Sequence, residues 1–243
     1  MPEKVAMLLS GGYDSLTLAT DIIKNPERYR TDSIPKLFHF TDNDPLHQFI
    51  TKKVQTEQQK WLSNIAKKDV HIDVINVDGM LLSGKFEKPR SLYIPAGIAS
   101  IEDQPHTVGR QVLFVTIAFN HMAYEKITRL YTAFQMEESR WDNFNDGGSY
   151  SDDDPSFVES INELCWIGGG YVPEQEIIAP FLDERLSKVD IFRRGIKLGV
   201  PADTSYTCVF QFPNPCNVCN ACYIHNYGCA ELGYDPRKVD NEE

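Results

Sequence analysis

An apolar run followed by a pair of glycines opens the chain: Val5-Ala-Met-Leu-Leu-Ser-Gly-Gly-Tyr-Asp-Ser15. The run Val5–Leu9 is typical of a strand that is buried on both faces of a parallel sheet. Apolar residues then recur at helical spacing over Asp14–Lys24, which predicts a helix directly after the strand. The glycines between them allow the backbone to turn tightly and to come close to a ligand. The stretch therefore predicts a strand, a tight turn and a helix, in that order.

The turn, Ser10–Ser15, has the chemistry of a phosphate site. The backbone amides of Asp14, Ser15 and Leu16 should point into it at the positive end of the helix, and two serine hydroxyls add donors. Such a site holds phosphate without a lysine, and the pattern G-x-x-x-x-G-K-[ST] is absent from the chain. The alternative is an ordinary strand-to-helix turn in which Asp14 caps the helix.

The rest of the chain alternates strand patterns with helix patterns. The predicted strands are Val5–Leu9, Lys36–Phe40, Val70–Val77, Ile127–Phe134 and Glu176–Ala179. The predicted helices are Asp14–Lys24, Leu46–Ile65, Gly109–Tyr124, Pro155–Trp166 and Ser187–Leu198. This order predicts an α/β fold, a doubly wound and mostly parallel sheet with helices on both faces. Ligands of such sheets bind at the carboxyl ends of the strands, where the Ser10–Ser15 turn lies.

Four cysteines crowd into a short C-terminal segment with the spacing C-x7-C-x2-C-x2-C. They are Cys208, Cys216, Cys219 and Cys222. Two C-x2-C steps present adjacent thiolates to one ion, and the longer loop supplies the fourth ligand. Because four ligands saturate a tetrahedral ion, the pattern predicts a structural Zn²⁺ rather than a catalytic one. The alternative is a group of buried cysteines without metal.

These patterns divide the chain into three parts. Residues 1–200 form the predicted α/β domain, and residues 201–234 form the cysteine segment packed on it. Residues 235–243 are expected to be a frayed tail.

Composition and charge limit the classes of function. The chain has 243 residues and a formal net charge of −11, which argues against a protein that grips a nucleic-acid backbone over a wide surface. The longest apolar stretch, near Val112–Phe119, is too short to cross a membrane. Val5–Leu9 is too short for the apolar part of a signal peptide. We therefore expect a cytoplasmic protein with no membrane partner.

Two basic residues stand at the unfavourable end of a helix. Arg110 opens an apolar helix, and Lys188 lies in the first turn of its own helix. The N-terminus of a helix carries partial positive charge, so a cation there is better explained by a phosphate or carboxylate partner. The alternatives are an ion pair of Arg110 with Asp103 or Glu102, and a solvated surface position for Lys188.

The pattern Ser-Gly-Gly-x-Asp-Ser resembles the pyrophosphate loop of the PP-loop, or N-type, ATP pyrophosphatases. These enzymes cleave ATP between the α- and β-phosphates and adenylate an oxygen of their substrate. Together with the four cysteines, the loop resembles the QueC family of 7-cyano-7-deazaguanine synthases over most of the chain. Further similar segments begin at Gly109-Arg110-Gln111 and at Ala179-Pro180-Phe181.

This resemblance implies a PP-loop (HUP-like) α/β fold with a C-terminal zinc knuckle, and an ATP-dependent C–N ligase that uses Mg²⁺ and a structural Zn²⁺. The implied reaction adenylates the carboxylate of 7-carboxy-7-deazaguanine, and ammonia as the amine then gives 7-cyano-7-deazaguanine. A homodimer is also implied. The implied ATP and pyrophosphate contacts are Ser10, Gly11, Gly12, Asp14, Ser15 and Leu16, and the implied catalytic residues are Asp14, Ser15, Arg110 and Lys188.

The segment expected to bind the acceptor departs from the family pattern. The implied substrate contacts are His47, Tyr150 and Asp152. Glu138 is a further candidate because it follows the fourth strand at the carboxyl edge of the sheet, and the alternative is a surface carboxylate. The stretch Glu137–Asp154 is longer and more acidic than in the family, and Asp154 stands where an arginine is usual. Such a rim suits a cationic amine, which leaves open a transfer of the activated deazaguanine to an amine of a partner protein. A non-catalytic nucleotide-binding module and a tRNA-thiolating PP-loop enzyme stay open as well.

Overall fold

Five parallel strands form the sheet in the described part of the computed structural model, which comprises residues 3–78, 80, 110–135, 155–168, 175–208, 210–217 and 219–233. Their order across the sheet is β3-β2-β1-β4-β5, so the chain winds outward from β1 in both directions. The strands are Val5–Leu8 (β1), Lys36–Thr41 (β2), Ile72–Asn76 (β3), Arg129–Tyr131 (β4) and Glu176–Ile178 (β5). This architecture confirms the predicted doubly wound sheet.

Eight α-helices accompany the sheet within those ranges. They are Tyr13–Lys24 (α1), Pro45–Lys53 (α2), Gln59–Ala66 (α3), Arg110–Glu125 (α4), Pro155–Gly168 (α5), Pro180–Asp183 (α6), Lys188–Leu198 (α7) and Asn220–Glu231 (α8). None of these helices is long and apolar enough to cross a membrane.

Several predicted elements need correction. The expected single helix Leu46–Ile65 is divided into α2 and α3 by a π-helical segment at Val54–Gln58. The expected strand Ile127–Phe134 shortens to β4, because its neighbour β5 pairs with only three of its residues. The helix α8 was not predicted, because its cysteines and glycine hide the apolar periodicity. The other boundaries move by one or two residues.

Each face of the sheet carries its own apolar layer. Along β1, Val5 and Met7 pack into the layer that contains α1, α3 and α7, whereas Ala6 packs into the layer that contains α4 and α5. All three side chains are at most 1% exposed. Burial on both faces explains why β1 reads as a continuous apolar run rather than as an alternating one.

The contact between α1 and α7 depends on Gly195. A Cβ atom at this position would collide with Tyr13 Oη and lie 2.7 Å from Thr17 Oγ1. Tyr13 is only 1% exposed and its ring stacks on Phe192 with the centroids 4.5 Å apart, so the ring is held in place by its neighbours. The missing side chain therefore lets α7 approach α1 closely, which brings the N-terminus of α7 to the Ser10–Ser15 loop.

We predict that Gly195→Ala destabilises the fold. Overpacking costs about 1–3 kcal/mol, which exceeds the gain of about 1 kcal/mol in helix propensity. Urea unfolding should show a lower free energy of unfolding than in the wild type. Lys197→Ala, on the exposed side of the same helix, is the matched control and should change the stability little. A Gly195→Ala protein as stable as the wild type would contradict this account of the contact.

Candidate active site and metal centre

The Ser10–Ser15 loop is built around a backbone conformation that favours glycine. Gly11 has φ +90°, and a Cβ atom there would also collide with Ile50 Cγ2 on α2. The Gly11 carbonyl accepts two hydrogen bonds, from Gln58 Nε2 at 2.8 Å and from the backbone N–H of Tyr206 at 3.1 Å. The π-helical segment and the C-terminal segment thus hold the turn from two sides.

Hydroxyl groups fix the inner side of the loop. Ser15 Oγ accepts from the Ser10 N–H at 3.2 Å and donates to the Gly12 carbonyl at 3.0 Å. Gly12 is the N-cap of α1 and supplies no side-chain cap, while Asp14 lies in the first turn instead of capping it. The first amides of a helix have no partner within the helix, so this uncapped end is suited to an anion.

Lys188 and Asp14 form a buried ion pair beside the loop. Lys188 Nζ donates to Asp14 Oδ2, and the two side chains are 5% and 15% exposed. Both residues lie in the first turn of a helix, α7 and α1 respectively. The ion pair brings these two sequence-predicted residues together, and the alternative of a solvated surface lysine is wrong for Lys188.

One polar side chain close to this pair was missed by the sequence analysis. The ring of His225 lies edge-on to that of Phe192, with the centroids 5.0 Å apart. Burial lowers the pKa of His225 to about 4; the charge of Lys188 acts in the same direction, and that of Asp14 opposes it. His225 follows the last predicted metal ligand by three positions, a helical spacing that would have indicated a shared face if α8 had been predicted.

A second histidine supports the end of β1. His39 is 2% exposed, and its Nδ1 lies 2.8 Å from the carbonyl of Leu9 while its Nε2 lies 3.0 Å from Thr51 Oγ1. Because a carbonyl only accepts, Nδ1 donates to Leu9. Burial lowers the pKa of His39, which favours the neutral imidazole.

The remaining predicted site residues are spread along the carboxyl edge of the sheet or lie outside the described residues. His47 follows β2 and its Nδ1 lies 2.7 Å from Asp42 Oδ1. Arg110 is the first residue of α4, which leads from β3 toward β4, so it lies at the same edge but in the opposite helical layer. The predicted substrate contacts Glu138, Tyr150 and Asp152 lie outside the described residues.

The four predicted metal ligands come together in one cluster. The Sγ atoms of Cys208, Cys216, Cys219 and Cys222 all lie within 4.8 Å of one another. Three backbone N–H groups donate to these sulfurs: that of Cys216 to Cys208 at 3.3 Å, that of Cys219 to Cys216 at 3.3 Å and that of Cys222 to Cys219 at 3.4 Å. Such bonds stabilise thiolates, the form in which cysteine binds metal.

The cluster has the size of a site for a single ion. A tetrahedral ion with metal–sulfur bonds of about 2.3 Å separates its sulfurs by roughly 3.8 Å, and Cys216 Sγ and Cys222 Sγ are 3.9 Å apart. The four residues can therefore hold a metal ion.

Comparison with solved structures gives distant likenesses, among them the following one. The chain resembles the U34-tRNA thiolase NcsA from Methanococcus maripaludis, solved with its [4Fe-4S] cluster, at 15% identity and a TM-score of 0.45. The alignment covers 95% of this chain and 65% of the thiolase chain.

Comparison with protein sequences gives matches over nearly the full length. The chain is 27% identical to the 7-cyano-7-deazaguanine synthase of Microcystis aeruginosa over 96% of this chain and 94% of the relative. It is 25% identical to the 7-cyano-7-deazaguanine synthase of Archaeoglobus fulgidus over 99% of this chain and 91% of that relative. A sequence model of the family described as "Queuosine biosynthesis protein QueC" matches residues 4–233. The chain therefore belongs to the QueC family of the PP-loop superfamily.

Proposed function

We propose that this protein is an ATP-dependent ligase that activates the carboxylate of 7-carboxy-7-deazaguanine and joins it to ammonia, ending in 7-cyano-7-deazaguanine. The family and the names of the relatives support the substrate. The observation that carries the chemistry is the buried Asp14–Lys188 pair beside the uncapped N-terminus of α1. A carboxylate resists attack by an amine until its oxygen becomes part of a good leaving group, and transfer of AMP from ATP achieves this.

The balance of the reaction requires two activations. Converting a carboxylate into a nitrile removes two oxygen atoms, and each one leaves bound to AMP. In the first round, ammonia displaces AMP from the acyl-adenylate and gives the amide. In the second, the amide oxygen is adenylated and leaves with AMP, while the nitrogen loses two protons and forms the nitrile. One site that binds ATP and releases pyrophosphate can perform both rounds.

The Ser10–Ser15 loop would bind the departing pyrophosphate. The amides of Asp14 and Ser15 would supply N–H donors at the positive end of α1, whereas the Leu16 N–H, which the sequence also predicted as a donor, already donates to the Gly12 carbonyl at 3.2 Å. Ser10 and Ser15 would shape the loop through their hydroxyl bonds and leave the open side of Gly12 to the phosphates. Donors fixed before the reaction stabilise developing negative charge without having to reorganise.

Lys188 would neutralise charge on the phosphates, and Arg110 would do the same from the opposite layer. In the absence of ligand, Asp14 holds the Lys188 ammonium close to the loop. Mg²⁺ would be bound mainly by phosphate oxygens, since it keeps most of its waters and the loop offers only one carboxylate, which Lys188 already pairs. The magnesium ion would supply further charge neutralisation when bound.

The cysteine cluster would hold a structural Zn²⁺. Four thiolates saturate a tetrahedral ion and leave no position for a substrate. The cluster also shares an apolar group with Leu46 and Tyr206, so it joins the C-terminal segment to α2. The metal would thus stabilise the segment whose Tyr206 N–H binds the Gly11 carbonyl.

We predict about one Zn²⁺ per chain in protein purified without added metal. Cys219→Ser should lower the metal content and the melting temperature, because metal-binding free energy contributes to folding. Cys229→Ala is the matched control: this cysteine is buried on α8 but lies outside the cluster, so the metal content should stay unchanged. Elemental analysis and thermal melting provide the measurements. Full metal content in Cys219→Ser would contradict the assignment.

Substitutions at the two glycines of the loop are expected to have different effects, one on ligand binding and the other on folding. A Cβ atom at Gly12 would meet only Ser10 Oγ at 3.4 Å, an ordinary contact, and the φ of −80° suits any residue. We therefore predict that Gly12→Val folds but loses pyrophosphate release by at least about 100-fold, because its side chain occupies the phosphate position. Gly11→Ala, in contrast, should lower the stability itself, because of its backbone strain and its collision with Ile50.

Circular dichroism and a pyrophosphate-release assay test this prediction. Ser160→Ala, an exposed serine on α5, is the control that should leave both measurements unchanged. A folded Gly12→Val protein with wild-type pyrophosphate release would remove the loop as the ATP site.

The proposed reaction is tested with purified protein, MgATP, 7-carboxy-7-deazaguanine and ammonia. We expect AMP and pyrophosphate to form only when the deazaguanine is present, and mass spectrometry should detect first the amide and then the nitrile. ATP binding without any pyrophosphate would instead favour a non-catalytic nucleotide-binding module. Sulfur transfer to tRNA without turnover of the deazaguanine would favour a thiolase, and either result would overturn the proposal.

A further inference from the structure

The inward face of α8 carries a histidine between metal ligands and the ATP loop. Cys222, His225 and Cys229 follow one another at spacings of three and four residues, so they lie on one face of the helix. Cys222 and Cys229 are at most 2% exposed, whereas Tyr223 and Tyr227 on the outer face are 49% and 45% exposed. These three residues form an inward stripe on α8. Cys222 of the cysteine cluster lies at one end of this stripe, and His225 lies in its middle.

Phe192 connects this stripe to the proposed ATP site. Its ring stacks on Tyr13 with the centroids 4.5 Å apart, lies edge-on to His225, and has Lys188 Nζ 5.8 Å from its centroid. A Cβ atom at Gly228 would lie 2.9 Å from Phe192 Cδ2 and 3.5 Å from Lys188 Cγ. Helix α8 therefore approaches α7 as closely as its backbone allows, directly over the lysine.

Two buried polar atoms in this region have no hydrogen-bond partner among the described residues. They are Asp14 Oδ1 and His225 Nδ1. The other oxygen of Asp14 accepts from Lys188, and Lys188 and His225 both lie against the ring of Phe192, with Lys188 Nζ 5.8 Å and the His225 ring centroid 5.0 Å from the centroid of that ring. Carboxylate oxygens only accept, whereas a neutral imidazole donates from whichever nitrogen carries the proton. Buried polar atoms are almost always paired, and these two are complementary.

We propose that His225 is a positioning residue, which donates from Nδ1–H to a buried water that in turn donates to Asp14 Oδ1, and so fixes the carboxylate that holds Lys188. The proposal rests on the proposed function, because the group it positions belongs to the ATP loop. It also gives the metal cluster a second role, since the helix that begins at the cluster delivers the histidine to that loop.

Three substitutions on α8 separate hydrogen bonding from packing. His225→Phe keeps a ring against Phe192 but removes both nitrogens. His225→Asn keeps an amide near the position of Nδ1 and can still donate. Tyr227→Phe, on the outer face, is the matched control. All three should bind metal as the wild type does and should melt within a few degrees of it.

In the pyrophosphate-release assay, we expect His225→Phe to lower kcat by about tenfold or more while KM for ATP changes less than threefold, because a misplaced charge affects the transition state most. His225→Asn should recover most of the lost rate, and Tyr227→Phe should match the wild type. Wild-type kcat in His225→Phe, or no recovery in His225→Asn, would overturn the positioning role. An inactive wild type would overturn the proposed function instead.

A measurement that needs no activity tests the hydrogen bond itself. In protein labelled with nitrogen-15 at histidine, NMR should show His225 with its proton on Nδ1, and Asp14→Leu should shift it to Nε2, the nitrogen that free imidazole side chains prefer. An Nε2–H form in the wild type, or the same form in both proteins, would overturn the proposal even if the enzyme turned out to be inactive on the deazaguanine.

Discussion

The left-handed backbone of Gly11 is the constraint around which the rest of the site is arranged. Gly11 has a positive φ, and its carbonyl accepts hydrogen bonds from Gln58 Nε2 and from the Tyr206 N–H. Gln58 is fully buried at the end of the π-helical segment, and Tyr206 precedes Cys208, the first cysteine of the cluster, by two residues. One peptide group therefore joins the first turn of the sheet, the interruption between α2 and α3, and the C-terminal segment.

The parts of the structure that depend on local patterns could be predicted from the sequence. Continuous apolar runs gave the strands, and thiol spacing alone was enough to bring four cysteines together, because neighbours in such a motif need no distant partner. Lys188 was identified by its unfavourable place at a helix N-terminus, and its buried pair with Asp14 explains that place. His225 and Gln58 could not be found in this way, since each acts through residues that are far away in the chain and that only the fold brings near.

The energetics of the Asp14–Lys188 pair fit a binding role better than a stabilising one. Burying an ion pair costs desolvation that its attraction only about balances, so such pairs add little net stability. Asp14 is favoured by the dipole of α1, but Lys188 stands against the dipole of α7 and depends on the neighbouring carboxylate. An anionic ligand at the loop would stabilise the lysine in the same manner. The folded protein thus holds a cation close to the place where phosphate charge would arrive.

The cysteine cluster is packed against the elements that hold this arrangement. Leu46, Tyr206 and three of the cysteines form one small apolar group, so the ligands are built into the wall next to α2. From there the chain runs into α8, whose Gly228 lies against Phe192 and Lys188. The cysteine cluster and the Ser10–Ser15 loop are therefore joined twice, through the Tyr206 N–H and through α8, although they lie near opposite ends of the sequence.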